Sequence, residues 1–351
     1  MTTLKEVAKL AGVSVASVSY VINGKKQLSE ETTKRINDAI IKTNFAPHTL
    51  AKSLRMGKTL TIGVLVEDIR GLPIADIVNG VEENLEEHGY QMILSDLHML
   101  EKLYNQYDQI AGYQEYINNS VQQMLRSHVD GIIYVGLHDR HIDNIISPID
   151  KPFVYAYSHS SKRDHYVTYN NIDGAIDATN YLINHGHRDI AIIAGHPNSF
   201  PTHQRLEGFN TAMINAGLPI RDEYICYGDW EYESGYEQIK KLLALANRPT
   251  AVFAMNDLMA AGCLNSAQAA GLKIPQDLSI IGFDNREIAS YLPVPLTTIQ
   301  VPNTKIGYES AKMLLSLTKG RSVNQNHIIL PCTLIERASV ASITLETNFI
   351  Q

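Results

Sequence analysis

Ser14, Val15, Ala16, Ser19 and Tyr20, with Lys25 and Lys26 just beyond them, have the side-chain chemistry to read a nucleic-acid duplex. Serine hydroxyls and lysine ammonium groups suit phosphate oxygens, contacts that position a protein on a duplex without reading its sequence. Val15 and Ala16 are apolar and can sense only thymine methyls or groove shape, while Tyr20 offers one hydroxyl to a base edge. With no arginine or bidentate amide among them, direct hydrogen-bond readout is thin and duplex shape carries more of the preference.

Those side chains need a short, well-capped helix behind them. Thr3 followed by Glu6 is a capping box, Val7, Leu10 and Ala11 give the first helix an apolar face, and Gly12 ends it. Ser14 caps a second helix with Val18, Val21 and Ile22 inward; Ser29, Glu30 and Glu31 start a third with Ile36, Ala39 and Ile40 inward. Two short helices joined by a glycine-containing turn form a helix-turn-helix, whose second helix enters the major groove. A helical hairpin with no nucleic-acid role is the plainer alternative. The charge distribution separates the two: residues 1–58 hold ten Lys/Arg against four acids, whereas the whole chain carries −7. A basic head on an acidic body points to one polyanion-binding module whose affinity falls steeply with salt.

The totals exclude several other classes. A chain of 351 residues is long enough for two or three domains. Lys5 and Glu6 interrupt any leader-like apolar stretch, and the run at Thr61–Val66 is far too short to span a bilayer. Cys226, Cys263 and Cys332 form neither a metal-ligand spacing nor an even disulfide framework. The expectation is a soluble cytoplasmic protein with no membrane partner. His138 with His141, and His185 with His187, lack further ligands at a suitable spacing, so no metal is expected. There is no Gly-x-Ser-x-Gly elbow, no phosphate-cradling glycine loop and no convincing carboxylate pair, hence no expected enzyme activity and no cofactor.

Several separated motifs then recur in order: Leu4-Lys5-Glu6-Val7-Ala8, Ala11-Gly12-Val13-Ser14, Val18-Ser19, Val21-Ile22-Asn23 and Leu50-Ala51-Lys52-Ser53-Leu54-Arg55. The chain resembles the lactose/galactose repressor (LacI/GalR) family, over about residues 1–338. The resemblance implies that residues 48–55 form a hinge helix on operator DNA. Leu54 matches the leucine wedged into the minor groove, with Arg55 beside it on the duplex. Read alone, the segment favours a solvated linker whose Leu54 packs on the body, because it is too short to be a stable helix in water.

From Leu60 onward, apolar strand-like runs (Thr61–Val66, 90–95, Gly131–Val135, 153–157, 189–194, Ala251–Ala254, 279–282) alternate with helical stretches, the pattern of parallel sheets covered by helices. The fold class is an all-α helix-turn-helix head plus an α/β body of two lobes resembling the type I periplasmic-binding-protein fold. The expected domains are 1–46 (head), 47–59 (hinge), 60–338 (body) and a peripheral tail, 339–351. Within the body, lobe 1 takes 60–158 and 289–319 and lobe 2 takes 159–288 and 320–338, with 293–299 as a late crossover. The stretch 97–123 is longer than the family usual and carries Tyr104, Tyr107, Tyr113 and Tyr116. It reads as an extended helix or loop on lobe 1, or as a surface insertion of no consequence.

A ligand in such a fold lies between the lobes, at the carboxyl ends of strands. Arg205 opens a helix after one strand, Asn256 and Asp284 close two others, and Trp230 is the only tryptophan. A guanidinium fork suits hydroxyls or carboxylates, and an indole face suits a sugar ring. Each has a plainer reading: an ion pair for Arg205, a helix cap for Asn256, core packing for Trp230. The resemblance implies that all four are effector positions, with Tyr157 and Phe200 as further lining. One departure is Gly71-Leu72-Pro73-Ile74, where the family often has Asn-Pro-Phe-Phe. The set leans toward a carbohydrate over a purine. The expected whole is a homodimeric repressor on a pseudo-palindromic operator, controlled by that small molecule. The alternatives are control by a nucleoside or purine, control by a phosphoprotein corepressor, or a solute receptor that binds no DNA.

Overall fold

The computed structural model describes residues 3–23, 28–45, 58–103, 106–160, 165–321, 323 and 325–343. Lys25, Lys26, Leu54, Arg55 and Tyr104, and hence the expected hinge helix, lie outside the described residues. Contacts divide the chain into two compact units, Met1–Thr59 and Leu60–Gln351.

The first unit holds α1 (Leu4–Ala11), α2 (Val15–Asn23) and α3 (Glu30–Thr43). The capping box forms: Thr3 N–H donates to Glu6 Oε2 at 2.7 Å and Glu6 N–H to Thr3 Oγ1 at 3.4 Å. Gly12 stops α1 in the left-handed region at φ 63°, where a side chain would be strained. Ser17 N–H donates to Ser14 Oγ at 3.1 Å and starts α2 within two residues of that stop. The core is Val7, Ala8, Ala11, Val18, Ile36, Ala39 and Phe45, with Val21, Ile22 and Ile40 packed against it. Leu10 corrects the expected apolar face: it is 54 % exposed, and Ala8 turns inward in its place. Three helices this short leave room for alanine where they meet.

In the second unit a six-stranded sheet contains β1 (Thr61–Val66), β2 (Gln91–Asp96), β3 (Gly131–Val135), β4 (Phe153–Ala156), β5 (Tyr166–Tyr169) and β11 (His327–Leu330), in the order β11-β5-β4-β3-β1-β2. A four-stranded sheet contains β6 (Ile190–Ala194), β7 (Ile225–Tyr227), β8 (Ala251–Ala254) and β9 (Ser279–Ile281), in the order β7-β6-β8-β9. All these pairings are parallel, and the central strands are buried on both faces, which explains their uninterrupted apolar runs. Between the sheets, β10 (Thr298–Gln300) and β12 (Thr333–Ile335) pair antiparallel.

The helices of lobe 1 are α4 (Ile74–Glu87), α5 (Met99–Leu103), α6 (Gln114–Arg126) and α12 (Asn303–Thr318). Those of lobe 2 are α7 (Asn171–Asn184), α8 (Phe200–Asn215), α9 (Tyr232–Leu243), α10 (Asp257–Ala269) and the short α11 (Ile288–Tyr291).

Sheet pairing corrects the expected lobe boundaries. β5 and β11 both belong to the lobe 1 sheet, so lobe 1 runs to Tyr169 and takes back residues near 327–330. The chain crosses between lobes after β5, after β10 and after β11, and the second crossing falls just beyond the expected 293–299. Nor is the end of the described chain peripheral. Ser339 is fully buried, its Oγ accepting from Thr297 N–H at 2.9 Å and donating to Ile280 O, so lobe 2 extends past residue 338. The segment after β2 is helical: α5, a 3₁₀ turn over Tyr107–Tyr113 and α6 bury Leu97, Met99, Leu103, Ile110 and Ile117.

Candidate nucleic-acid interface and ligand cleft

On α2, Val18 is fully buried while Val15, Ala16 and Tyr20 are exposed, with Tyr20 at 39 %. Ala16 and Tyr20 stand four residues apart, as do Val15 and Ser19, so the four make one continuous face. Ser14 sits at its N-terminal edge, its Oγ already accepting from Ser17 N–H. The apolar core fixes which way α2 faces, and the solvent side is left with the small and single-hydroxyl side chains expected to meet a groove.

In the second unit, a cavity of about 260 Å³ between the lobes collects Tyr157, Arg205, Trp230, Asn256 and Asp284. They come from the ends of β4, β8 and β9, the first turns of α8 and the loop after β7. Phe200 is not among the lining residues. It opens α8 with its ring 5.4 Å from both His141 and His159, so its neighbour Pro201 faces the cavity instead.

Arg205 is 3 % exposed and held from several sides. Its Nε donates to Asn171 Oδ1 at 2.8 Å and its Nη2 to the Tyr169 hydroxyl at 3.1 Å; Nη1 donates to Met255 O. The guanidinium lies 3.7 Å above the Phe283 ring, and Asp284 Oδ1 is 3.6 Å from Nη2. Burial opposes its charge, but Tyr169, Asp284 and Tyr157 outweigh burial and hold the pKa above its ordinary value. The ion-pair reading and the pocket reading of Arg205 therefore both apply.

Trp230 is held in the left-handed region at φ 77°, as are Tyr157 at 57° and Asp284 at 107°. Three non-glycine residues in this sparsely populated region, all on one cavity, mark a pre-shaped site, at a strain of about 1–3 kcal/mol each. The Trp230 ring lies against Gly195, where a Cβ would come within 2.1 Å of it. Asn256 Oδ1 caps α10 by accepting from Met259 N–H at 2.8 Å, and its Nδ2 donates to Trp230 O at 2.8 Å. Asn256 thus caps its helix, as in the plainer reading, and also pins the tryptophan backbone.

Protonation states follow from burial. The Tyr157 and Tyr169 rings stack at 5.2 Å with hydroxyls 3.3 Å apart. Burial lifts Tyr157 well above its ordinary pKa and Tyr169 to about 12. His138, its ring 6.2 Å from that of Trp230, is pushed down to about 3 by burial and by Arg140, Arg205 and Arg286, and so is neutral near pH 7. Behind the cavity, burial and then Asp284 push Asp257 up to about 7. Tyr169, His138, Arg286 and Leu100 line the cavity without having been expected there. The aromatic, β-branched run Tyr166–Tyr169 was a strand signal that could have found Tyr169. His187, one of the paired histidines, is buried between Thr250 Oγ1 and Ala341 O at 3.0 and 3.1 Å. Among the described residues Asp68, Asp96 and His98 cluster closely enough to hold an ion, but Asp68 already accepts from Arg70 and the Leu100 N–H.

Comparison with known proteins agrees with this geometry. Residues 3–48 match bacterial regulatory proteins of the lacI family, and residues 179–340 match a periplasmic binding protein-like domain. The HTH-type transcriptional repressor PurR of Actinobacillus pleuropneumoniae serotype 3 is 35 % identical over 325 residues, covering 91 % of this chain and 92 % of its own. PurR of Vibrio cholerae is 32 % identical over 353 residues, covering 98 % and 99 %. The Lac repressor dimer bound to operator and the anti-inducer ONPF superposes with a TM-score of 0.78 at 25 % identity, over 97 % of this chain and 99 % of that one. The CelR–cellobiose complex does so with a TM-score of 0.63 at 29 % identity, over 97 % and 100 %.

A capped helix-turn-helix joined to a two-lobed body with a ligand cavity defines a DNA-binding transcriptional repressor, a regulator and not an enzyme. The chain belongs to the lacI family of bacterial regulatory proteins. The carbohydrate expectation gains no support from the PurR relatives. No helix among the described residues is long and apolar enough to cross a membrane.

Proposed function

We propose that the chain represses transcription in the cytoplasm as a homodimer on a pseudo-palindromic operator, and that a small ligand in the interlobe cavity sets its operator affinity. The observation carrying this reading is the convergence of Tyr157, Arg205, Trp230, Asn256 and Asp284 on one pre-shaped cavity. The ligand acts through its differential affinity for two lobe arrangements, which bounds the coupling to DNA.

A sugar fits the cavity chemistry: an indole face for the ring, and Arg205 with Asp284 as donor and acceptor for hydroxyls. The cellobiose complex of CelR supports that choice. The second reading, a purine, is favoured by the PurR relatives and by the Tyr157–Tyr169 stack on the cavity wall. Duplex binding measured across a salt series, with and without sugars and purines, tests the whole. Operator affinity should fall steeply with salt and respond to one ligand class only. Salt-independent binding, or indifference to both classes, defeats the reading.

A further inference from the structure

Phe200, absent from the wall of the ligand cavity, packs instead on a pair of histidines from the other lobe. His141 follows β3 and His159 follows β4, both in lobe 1, while Phe200 opens α8 in lobe 2. The two imidazoles meet edge to face with centroids 4.0 Å apart, and the Phe200 ring lies 5.4 Å from each. Backbone pairing locks the histidines together: His159 N–H donates to Arg140 O at 3.0 Å and Ile142 N–H to His159 O at 2.9 Å. A charge on one ring is therefore not relieved by moving it away from the other.

The same pair touches a buried carboxylate that spans the lobes. His159 Nδ1 lies 3.3 Å from Asp139 Oδ1. Asp139 Oδ2 accepts from Asn171 Nδ2, at the start of α7, at 3.0 Å, and Asn171 Oδ1 holds Arg205 in the cavity wall. The other titratable groups facing the pair are Asp143 and the Tyr166 ring of β5, 5.4 Å from His159, on which His327 of β11 stacks at 5.2 Å. Arg140, between Asp139 and His141, turns its guanidinium to Glu67 at 2.7 Å, and α8 presents the uncharged Phe200 ring. Histidine is the side chain whose ordinary pKa places its change of charge between about pH 5 and 8.

We propose that the His141–His159 pair is a proton-binding site between the lobes and makes the proton a second effector of this repressor. Neutral rings hold Phe200 and keep the lobes in contact; a proton on the pair releases α8 and competes with Asn171 for Asp139. The inference rests on the two lobe arrangements proposed above. Its sign follows from the packing. Burial, to which Phe200 contributes, and then His159 hold His141 below its ordinary pKa of 6.5, with Asp143 and Asp139 opposing. The arrangement with α8 on the rings thus favours neutral His141, and one with α8 moved away returns the ring to water and takes up the proton more readily. Linkage then makes falling pH, below about 6.5, favour the separated arrangement.

Hydrogen–deuterium exchange of the full chain at pH 7.5 and pH 5.5, corrected for the intrinsic effect of pH, reads this contact with neither ligand nor DNA present. Amides in the first two turns of α8 should exchange about threefold faster at pH 5.5. Affinity for an operator selected from random duplex should change by about threefold or more over the same interval. His141→Gln, at an exposed position, and His159→Gln remove the titrating rings and should each flatten both responses. Asp257 also titrates in this range, but it is present in every arm, so the difference between parent and variants isolates the pair. Variants that keep the full pH response, or a parent whose α8 exchanges alike at both pH values, overturn the proton site. Exchange that responds while operator affinity does not overturns the proton as an effector. Both responses present in a chain indifferent to every sugar and purine uphold this inference, although the small-ligand reading then falls.

Discussion

Arg205 Nε donates to Asn171 Oδ1 at 2.8 Å, and Asn171 Nδ2 in turn donates to Asp139 Oδ2 at 3.0 Å. Asn171 opens α7 and Arg205 lies in the second turn of α8, both in lobe 2, whereas Asp139 follows β3 in lobe 1. Asp139 is 1 % exposed and also accepts from Thr168 Oγ1 at 2.8 Å. A chain of three buried side chains therefore ties the wall of the ligand cavity to the opposite lobe. Such chains carry coupling only where the linked parts have two arrangements, the condition that the two lobe arrangements proposed above would meet.

Removing the middle member is the direct test. Asn171→Ala takes a buried partner from both Arg205 and Asp139, and each loss of a charge-assisted hydrogen bond costs about 1–3 kcal/mol. Denaturant unfolding should show a loss of about 2–6 kcal/mol for the two bonds together, and the ligand-induced change in operator affinity should shrink. A variant as stable as the parent, with undiminished ligand response, would show that the lobes communicate by another route.

Trp230 is the only tryptophan in the chain, so its emission reports the cavity without labelling. Gly195→Ala places a methyl group where the Cβ lies 2.1 Å from the indole ring, closer than any real contact, and the ring must move. The expected outcome is a shifted emission maximum in the free protein and a loss of ligand affinity of tenfold or more. The effect on DNA binding in the absence of ligand should be small. Unchanged emission together with unchanged affinity would remove Trp230 from the site.

Asp257, behind the cavity, makes stability pH-sensitive with a defined sign. Its oxygens accept from Thr298 Oγ1 at 2.5 Å and from Arg286 N–H at 2.6 Å, yet burial and Asp284 raise its pKa from 3.8 to about 7. The folded state thus holds a proton that the unfolded chain releases between about pH 4 and pH 7. The Asp257 contribution to stability is largest at the acid end of that window and falls as pH rises through it. Asp257→Asn mimics the protonated form, so its Tm relative to the parent should rise between pH 5 and pH 8. A relative Tm that is flat or falls over this range contradicts the raised pKa.

Local physics was the most legible part of the sequence. Thr3 with Glu6, Gly12, Ser14 and Ser29 each act within four residues along the chain, and each cap forms as its spacing dictates. Leu10 misled because helical periodicity admits either Ala8 or Leu10 inward, and only packing against α3 decides. In the body, strand ends located Arg205, Asn256 and Asp284, since such positions face the crevice. What stayed hidden was long-range pairing. Nothing local says that Tyr166–Tyr169 aligns with Phe153–Ala156 and not with the lobe 2 strands, and that pairing brings Tyr169 to Arg205. Phe200 shows the same limit one residue at a time: whether it or Pro201 faces the ligand depends on the rotation of α8.

The exposed face of α2, proposed to meet the duplex, makes the last prediction, and it separates positioning from specificity. Tyr20 is exposed on the same side as Ala16, and its one hydroxyl is the only hydrogen-bonding group that Val15, Ala16 and Tyr20 together offer to a base edge. One neutral hydrogen bond contributes about 1 kcal/mol, roughly fivefold in affinity, and confines that preference to one base pair in each half-site. Tyr20→Ala should therefore reduce binding to the operator by about fivefold for each head while leaving random duplex nearly untouched, and it should flatten the preference at one position only. Tyr20→Phe should retain the aromatic packing and lose the same preference. If Tyr20→Ala weakens operator and random duplex equally, Tyr20 contacts the backbone, and the operator is then chosen by its shape and deformability alone.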